Sequence, residues 1–179
     1  EFFTTMTHHR FIIIITIKHQ QAKEKKECEE EKITATIDGI SYKIDSYEHT
    51  TEFGNRNKDT VAEFLKDSYE GNIDENYNLS NGYSYIFVTM TYTNNTDEQV
   101  EILRNAGVFY IINDDLERLQ VGDHGGIYID NYWTEGKENE KYHYVLGAGE
   151  SVKSEVGYII QDEWMSEDSK YIYCLLYTS

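Results

Sequence analysis

The stretch GYSYIFVTMTYTNNTDEQVEIL, Gly82 to Leu103, decides the fold of this chain. Its first half, Tyr83 to Thr93, consists almost entirely of aromatic residues, β-branched residues and threonine, which are favoured in β-strands. The residues that follow, Asn94 to Asp97, tolerate a tight turn. We therefore predict a long central strand, a turn, and a returning strand over Val100 to Leu103.

Shorter runs elsewhere carry the same signal. In ITATIDGISYKI, apolar and polar residues alternate on both sides of Asp38-Gly39, which is typical of a β-hairpin. Turns rich in Gly, Asn and Asp separate the remaining predicted strands. These are Gly107–Ile112, Gly126–Asp130, Lys141–Leu146, Ser151–Ile160 and Lys170–Tyr173.

One short helix interrupts the strands. In NKDTVAEFLKDSYEGN, Asp59 or Thr60 is a suitable N-cap, and Glu63 completes a capping box. Gly71 is a typical helix end. An early helix among many short strands predicts an all-β, antiparallel sandwich of about seven to nine strands with one short inserted helix.

The chain is strongly acidic. It has 33 Asp and Glu against 16 Lys and Arg, and residues 1–32 hold equal numbers of both signs, so the net charge of −17 belongs to residues 33–179. A field of that sign repels nucleic acid phosphates and anionic lipids, whose recognition depends on clustered Lys and Arg. We therefore exclude nucleic acid as a ligand. A length of 179 residues predicts a single domain.

The two ends differ in character from the middle. Phe11 to Ile17 is an apolar run of seven residues, whereas a membrane span needs about 20. There are three interpretations of this start: an extra strand, a degraded export signal or an out-of-frame translation. We expect residues 1–32 to be a damaged, spurious or linker segment.

The last six residues, CLLYTS, match in full a translated transposase end sequence used in DNA sequencing libraries. We expect residues 174–179 to be adaptor and the domain to be residues 33–173.

Cys28 and Cys174 are the two cysteines. A disulfide between them would join the ends of a secreted domain, but the pairing is accidental if Cys174 is adaptor. Cys28 lies in KKECEEE, without the CxxC spacing of a metal or redox site. We interpret it as a free thiol.

Two motifs carry a resemblance to a known group of proteins. GYSYIFVTMTYTNNTDEQVEI resembles the long strand and Asn-Asn-Thr turn of Gram-positive exported proteins, largely lipoproteins, whose domains of unknown function are related to the mycobacterial immunoprotective extracellular protein. Gly147–Val152 occupies the position of the group's later Pro-Gly-Glu turn, and Gly157–Glu163 is similar to the strand that follows it.

This resemblance covers Ile33 to Tyr173 and implies an immunoglobulin-like sandwich at the cell surface. The group has no agreed catalytic residues. An export signal and a lipobox are expected of it but are not recognisable in residues 1–32. We therefore expect membrane attachment only through a lipid anchor missing from this fragment.

Asp114, Asp115 and Glu117 form an acidic turn. Because calcium prefers such oxygen ligands, these residues are candidate ligands of a calcium-dependent adhesion module, although the EF-hand pattern is missing. Paired carboxylates also serve as acid and base in small hydrolases, whereas Asp and Asn occupy many turns for backbone reasons alone. The sequence has no GxSxG, HExxH or phosphate-binding Gly loop. We expect a protein that is not an enzyme and has no cofactor, unless calcium binds.

Aromatic residues cluster in IYIDNYWTEGKENEKYHYV. Tyr and Trp at loops supply rigid amphipathic contact surface, so Tyr128, Tyr132 and Trp133 are candidate binding residues for a protein or glycan. Tyr132 and Trp133 are the two that we expect to be exposed. The alternative is that alternate aromatics line the core and cover the outer face of the sheet. We expect a non-enzymatic extracellular or cell-surface binding or accessory domain, with calcium-dependent adhesion or a small hydrolase as alternatives.

Overall fold

The structure is a computed structural model that describes residues 11–15, 26–27, 34–62, 64–103, 107–112, 118–121, 123–130, 143–164 and 170–175. In residues 11–15, 26–27, 107–112, 118–121, 123–125, 164 and 170–175 it describes the backbone alone.

Twelve strands make up most of this part of the chain. They are β1 (Phe11–Ile15), β2 (Lys26–Glu27), β3 (Thr34–Ile37), β4 (Ile40–Thr50), β5 (Tyr83–Asn94), β6 (Val100–Leu103), β7 (Gly107–Ile112), β8 (Arg118–Val121), β9 (Asp123–Ile129), β10 (His143–Leu146), β11 (Ser151–Gln161) and β12 (Lys170–Leu175). One short helix, α1 (Leu65–Ser68), and two 3₁₀ turns, Lys58–Thr60 and Asp162–Trp164, accompany them.

The strands pair antiparallel in three sheets. A six-stranded sheet has the order β2-β4-β5-β11-β9, and β3 also pairs with β4. A four-stranded sheet has the order β1-β12-β7-β8, and β6 and β10 form a two-stranded ribbon. The protein is an all-β, antiparallel β-sandwich, as its sequence predicts. The immunoglobulin-like strand arrangement stays a prediction.

Strand β5 is the central element, as predicted. It pairs with β4 over residues 85–94 and with β11 over residues 83–93. Ile86, Val88, Met90 and Tyr92 lie on one face of the sheet, in a core cluster with Ile102 of β6 and Leu146 of β10. The β6–β10 ribbon therefore covers this face. Each large apolar side chain buried there contributes about 1.5 to 3 kcal/mol relative to an exposed position.

The opposite face of β5 is buried as well. Tyr85 and Phe87 point into a second core cluster, built with the irregular segment between β4 and β5. We call this segment, residues 51–82, the cover segment. Its Phe53 and Leu65 are fully buried, and the Phe53 ring packs against the rings of Tyr85 and Phe87. Consequently the first half of β5 has no solvent-facing side, which explains five consecutive buried residues over 84–88.

The hairpin predicted at Asp38-Gly39 is present. Both residues have positive φ, +48° and +81°, as a two-residue β-hairpin turn of the I′ type requires. A side chain at Gly39 would also collide with Thr96, whose Cγ2 lies 2.4 Å from the position of a Cβ. Both the positive φ and the lack of room for a Cβ therefore require glycine at this position.

The predicted helix is shorter than expected and starts elsewhere. Asn57, instead of Asp59 or Thr60, caps the 3₁₀ turn by accepting a 3.0 Å hydrogen bond from Asp59 N–H. The following residues leave the helical path because Ala62 N–H donates to Ile127 O of β9 at 2.8 Å. Helix α1 therefore ends at Ser68, before the Gly71 stop, and Glu63 of the expected capping box lies outside the described residues.

No helix within the described residues is long and apolar enough to span a membrane. The apolar run near the start is a strand where it is described, because β1 pairs with β12 from Phe11↔Leu175 to Ile15↔Tyr171. The origin of residues 1–32 and 174–179 stays a prediction, and Cys28 lies outside the described residues.

Twelve described strands exceed the seven to nine that the sequence predicts. The additional ones are β1, β2 and β8. All three lie at sheet edges, since β1 and β8 are the two ends of the four-stranded sheet and β2 is one end of the six-stranded sheet. Such strands are stabilised by pairing with a neighbouring strand, and the residue pattern of one segment does not reveal that pairing.

Candidate functional site

The candidate binding residues Tyr132 and Trp133 belong to residues 131–142, which we call the aromatic segment. Both lie outside the described residues. The residue before the segment is firmly held, because Asp130 N–H donates to Glu155 O at 2.9 Å and Ser154 Oγ donates to Asp130 Oδ1 at 2.7 Å. The aromatic segment thus leaves the six-stranded sheet from a fixed point beside β11.

The other end of the aromatic segment is held by the ribbon. His143 begins β10 and pairs with Leu103 of β6, and its imidazole contacts the carboxylate of Glu101. Leu103 is one of the exposed large apolar side chains, with 43% of its surface accessible. The strands on either side of the segment, β9 and β10, contribute Ile129 and Leu146 to the same core cluster.

The structure corrects the expectation for Tyr128. Its side chain is only 4% exposed and packs edge-on against the Phe53 and Phe87 rings, with centroids 5.5 and 5.7 Å apart. Burial, followed by the nearby charges of Glu155 and Asp130, raises the pKa of Tyr128 to about 12. Tyr128 is a core residue and not a contact residue, because its position on β9 faces the cover segment.

The candidate calcium ligands Asp114, Asp115 and Glu117 lie outside the described residues. Within the residues whose side chains are described, no group of three or more His, Cys, Asp or Glu is placed to hold a metal ion. Calcium binding at that turn stays a prediction.

Arg56 of the cover segment binds two carboxylates and a main-chain carbonyl. Its Nε donates to Glu155 Oε1 at 2.7 Å, its Nη2 to Glu48 Oε2 at 2.6 Å, and its Nη1 to Phe53 O at 3.0 Å. The guanidinium also lies over the Phe87 ring. Burial alone would lower the pKa of Arg56, but the two carboxylates outweigh it and raise the pKa. Arg56 joins the cover segment to β4 and β11, which is a structural role.

The two motifs that carry the family resemblance meet at Asn94. This buried side chain donates from Nδ2 to three carbonyls, those of Glu98 at 2.7 Å, Leu146 at 3.2 Å and Gly147 at 3.0 Å. Its Oδ1 accepts from Thr96 N–H at 3.0 Å. One side chain therefore fixes the end of β5, the turn before β6 and the end of β10.

The second motif adds its own contacts to this junction. Glu150 O accepts from Asn94 N–H at 2.9 Å, and Glu150 Oε2 accepts from Gly147 N–H at 2.7 Å. Gly149 has a φ of +70°, which favours glycine. The motifs are thus explained by the joining of β5, β6 and β10, without any need for a ligand.

Asp74 organises the loop that ends the cover segment. Its Oδ1 accepts from the N–H groups of Asn76 and Asn78, both at 2.8 Å. The backbone bond from Asn78 is the main reason that the pKa of Asp74 is lowered. The loop holds Tyr77 at a φ of +65°, and Tyr77 O accepts from Tyr85 Oη at 2.7 Å. The positive φ of Tyr77 therefore belongs to a loop whose carbonyl binds Tyr85, a residue of the second core cluster.

A serine, a histidine and an aspartate lie together near the N-terminal end of β5. Ser84 Oγ donates to Asp162 Oδ1 at 2.5 Å, and His49 Nε2 lies 3.9 Å from the same oxygen. His49 Nε2 is buried and has no hydrogen-bond partner among the described residues. In a catalytic triad the serine hydroxyl is bonded to histidine. Here it is bonded to the carboxylate, so this group is not arranged to activate a nucleophile.

Comparisons with known proteins give no family. No protein-family model matches the chain, and no curated protein matches its sequence significantly. Solved structures with similar folds include an uncharacterized β-sandwich protein from Clostridium difficile 630 (TM-score 0.42, 12% identity, 87% of this chain and 90% of that chain). A functionally unknown protein from Listeria monocytogenes EGD-e has a TM-score of 0.45 and 14% identity, with 77% of this chain and 68% of that chain covered. A conserved hypothetical protein from Bacillus anthracis has a TM-score of 0.42 and 11% identity, with 92% of this chain and 91% of that chain covered. These are proteins of Gram-positive bacteria, and no function is stated for any of the three.

Sequence reasoning misses two structural residues. Arg56 gives no local signal, because its partner Glu155 is 99 residues away. Asn94 is recognisable only as a turn residue, and its burial depends on β10, 52 residues further along. A polar residue at the end of an otherwise apolar strand is the available hint.

Proposed function

We propose that this protein is a non-enzymatic binding or accessory domain that acts outside the cell, with the aromatic segment as its contact surface. Tyr132 and Trp133 are its anchor residues. The observation that supports this proposal most is the fixing of both ends of the segment, by Asp130 on the six-stranded sheet and by His143 on the ribbon. Binding residues are commonly carried by loops that a rigid scaffold positions.

The described polar groups support a binding role over catalysis. Arg56, Asn94 and Asp74 are engaged in contacts within the fold. The Ser84 hydroxyl is bonded to Asp162 instead of a base. Catalytic groups need a donor or acceptor directed at a substrate. The part of the chain with described side chains thus offers structural explanations for its polar clusters.

Charge indicates the kind of partner. A net charge of −17 opposes close approach of phosphate-rich polymers and anionic lipid. Aromatic side chains bind apolar and sugar surfaces without needing an opposite charge. We therefore propose a protein or a glycan of the cell surface as the partner. The cell-surface location and the lipid anchor rest on the family resemblance alone.

The test is a binding measurement with a double variant. The purified chain is applied to insoluble cell-wall material from a Gram-positive bacterium and to a panel of immobilised oligosaccharides. Replacing Tyr132 and Trp133 by Ala together is expected to weaken binding by at least about tenfold, because interface aromatics contribute about 2 kcal/mol or more. The melting temperature is expected to stay nearly unchanged.

Phe64→Ala is the matched control, because Phe64 is a 41% exposed aromatic on the cover segment. Its binding is expected to equal that of the unmodified chain. A large loss of melting temperature in the double variant would place Tyr132 and Trp133 in the core. Unchanged binding with unchanged stability would remove the aromatic segment as the contact surface.

A further inference from the structure

The turn into β5 contains the only Asn-Gly dipeptide in the sequence, Asn81-Gly82. Both residues are exposed and have positive φ, +54° and +84°. The turn is closed by a 3.2 Å hydrogen bond from Tyr83 N–H to Ser80 O. This places an unhindered glycine amide directly after an asparagine side chain at a solvent-facing position.

The Asn81 side chain fastens the cover segment to the start of β5. Its Nδ2 donates to Gly71 O and to Asn72 Oδ1, both at 3.1 Å. Gly71 and Asn72 follow directly after the turn that ends α1. The Asn81 carboxamide is therefore a contact between the middle of the cover segment and its exit into the sheet.

We propose that Asn81 is a site of spontaneous deamidation, and that its conversion releases this contact. The nitrogen of Gly82 attacks Cγ of Asn81, a new C–N bond closes a five-membered succinimide, and the side-chain nitrogen leaves as ammonia with the proton from Gly82. Water then opens the ring. Cleavage at Cγ leaves an ordinary aspartyl residue at this position, and cleavage at the main-chain carbonyl gives the isoaspartyl linkage.

Three features of the structure favour reaction at this position. Gly82 has no Cβ to obstruct the approach of its nitrogen to the neighbouring side chain. No described residue accepts a hydrogen bond from the Gly82 N–H. The turn is exposed, and local opening of such turns requires little free energy compared with global unfolding. Asn94, by contrast, is fully buried.

The product has the opposite hydrogen-bonding character. A carboxylate at position 81 has no hydrogen to donate, so both hydrogen bonds are lost and the fixed carbonyl of Gly71 would face an acceptor. Contacts between two acceptors are repulsive, and the added negative charge increases the charge of an already acidic chain. Deamidation is therefore expected to loosen the cover segment around residues 71–72 while leaving the sheets paired.

The experiment follows the intact chain by peptide mapping with mass spectrometry during incubation at neutral and mildly alkaline pH. The expected result is a faster gain of the amide-to-acid mass shift, with isoaspartate, at Asn81 than at the exposed Asn76 and Asn95. The rate at Asn81 is expected to rise with pH. A parallel incubation in urea gives the rate for the unfolded chain. Conversion of Asn81 in urea but not in the folded chain would overturn the proposed site.

The variant Asn81→Asp tests the consequence separately. Hydrogen exchange of the amides of residues 72 and 80 is expected to become faster, because Ser80 N–H donates to Asn72 O at 2.9 Å in the same contact. Amides of β5 and β11 are expected to stay protected. Asn95→Asp is the matched control. If Asn81→Asp left exchange at residues 72 and 80 unchanged, deamidation would not release the cover segment.

Discussion

The guanidinium of Arg56 lies 3.4 Å from the centroid of the Phe87 ring, while its nitrogen atoms bind the carboxylates of Glu48 and Glu155. A cation from the cover segment thus lies on an aromatic ring of the central strand, between two carboxylates from its neighbouring strands. Cation–π contacts of this kind contribute about 2 kcal/mol when desolvated. The cover segment is therefore held to the sheet by charge as well as by apolar packing.

Replacing Arg56 by Met is expected to lower the free energy of unfolding by about 3 kcal/mol, because Glu48 and Glu155 would be left without their cation. Urea denaturation measures the change. Arg56→Lys keeps the charge but not the forked geometry, and an intermediate loss is expected. Lys153→Met, which removes a cation with a 63% exposed side chain from the same strand as Glu155, is the control. Equal effects of the Arg56→Met and control substitutions would contradict the structural role of Arg56.

Asn94 and Asn95 are adjacent, and the structure separates their roles. Asn94→Ala removes the donors to three carbonyls at a fully buried site, so a loss of about 2 to 4 kcal/mol is expected. Asn95 is exposed, and its bonds to Gly39 O and Ser41 Oγ are replaceable by water, so Asn95→Ala is expected to cost less than about 1 kcal/mol. Chemical denaturation of the two variants checks the ranking. A reversed ranking would show that the Asn94 junction does not hold β6 and β10.

Gly157 of β11 is fixed by the aromatic core. A Cβ at this position would lie 2.7 Å from Cε1 of Phe87 and 3.1 Å from Cβ of Tyr128. Because the Phe87 ring is buried and cannot move away freely, Gly157→Ala is expected to destabilise the protein by about 1 to 3 kcal/mol. Thermal unfolding measures the change. Ser151→Ala, at an exposed position on the same strand, is the control, and a neutral Gly157→Ala would mean that the core has room beside Phe87.

Ionisation of the buried Tyr128 is expected to lower the stability of the protein in alkali. Its pKa is raised by burial to about 12, above the value of about 10 in an unfolded chain. The associated stability is therefore complete below pH about 10 and is lost as the pH rises toward 12, by roughly 2 kcal/mol. Burial also raises the pKa of Tyr85. Tyrosinate absorbance, recorded together with unfolding, is expected to show late ionisation that Tyr128→Phe reduces. Ionisation of all tyrosines near pH 10 in the folded chain would contradict the burial of Tyr128.

The sheets are predictable because the decisive signals are local. The β-favouring composition of Tyr83 to Thr93 and the Asp38-Gly39 turn are each contained within a few neighbouring residues. The extent of the helix is not predictable, because pairing of Ala62 with Ile127 of β9 overrides the local preference for a longer helix. Tyr128 illustrates a second limit: an aromatic residue in a strand suits the core and the surface equally well, and only the packing of Phe53 decides between them.

The candidate site is predictable only in part, for a related reason. Asp130 marks the point where the aromatic segment begins, but its hydrogen bonds to β11 cross 24 residues or more of sequence. Composition suggests that Tyr132 and Trp133 are contact residues, and no pattern in one sequence distinguishes such residues from core aromatics.

The covering of β5 on both faces also has a kinetic meaning. Residues 85–88 are paired with a flanking strand on either edge, and their amides are shielded by side chains above and below. Solvent deuterium reaches such amides only when the whole domain opens, so their exchange rate reports the global unfolding equilibrium. The exchange rates at these few backbone positions therefore measure the stability of the whole domain in the absence of denaturant.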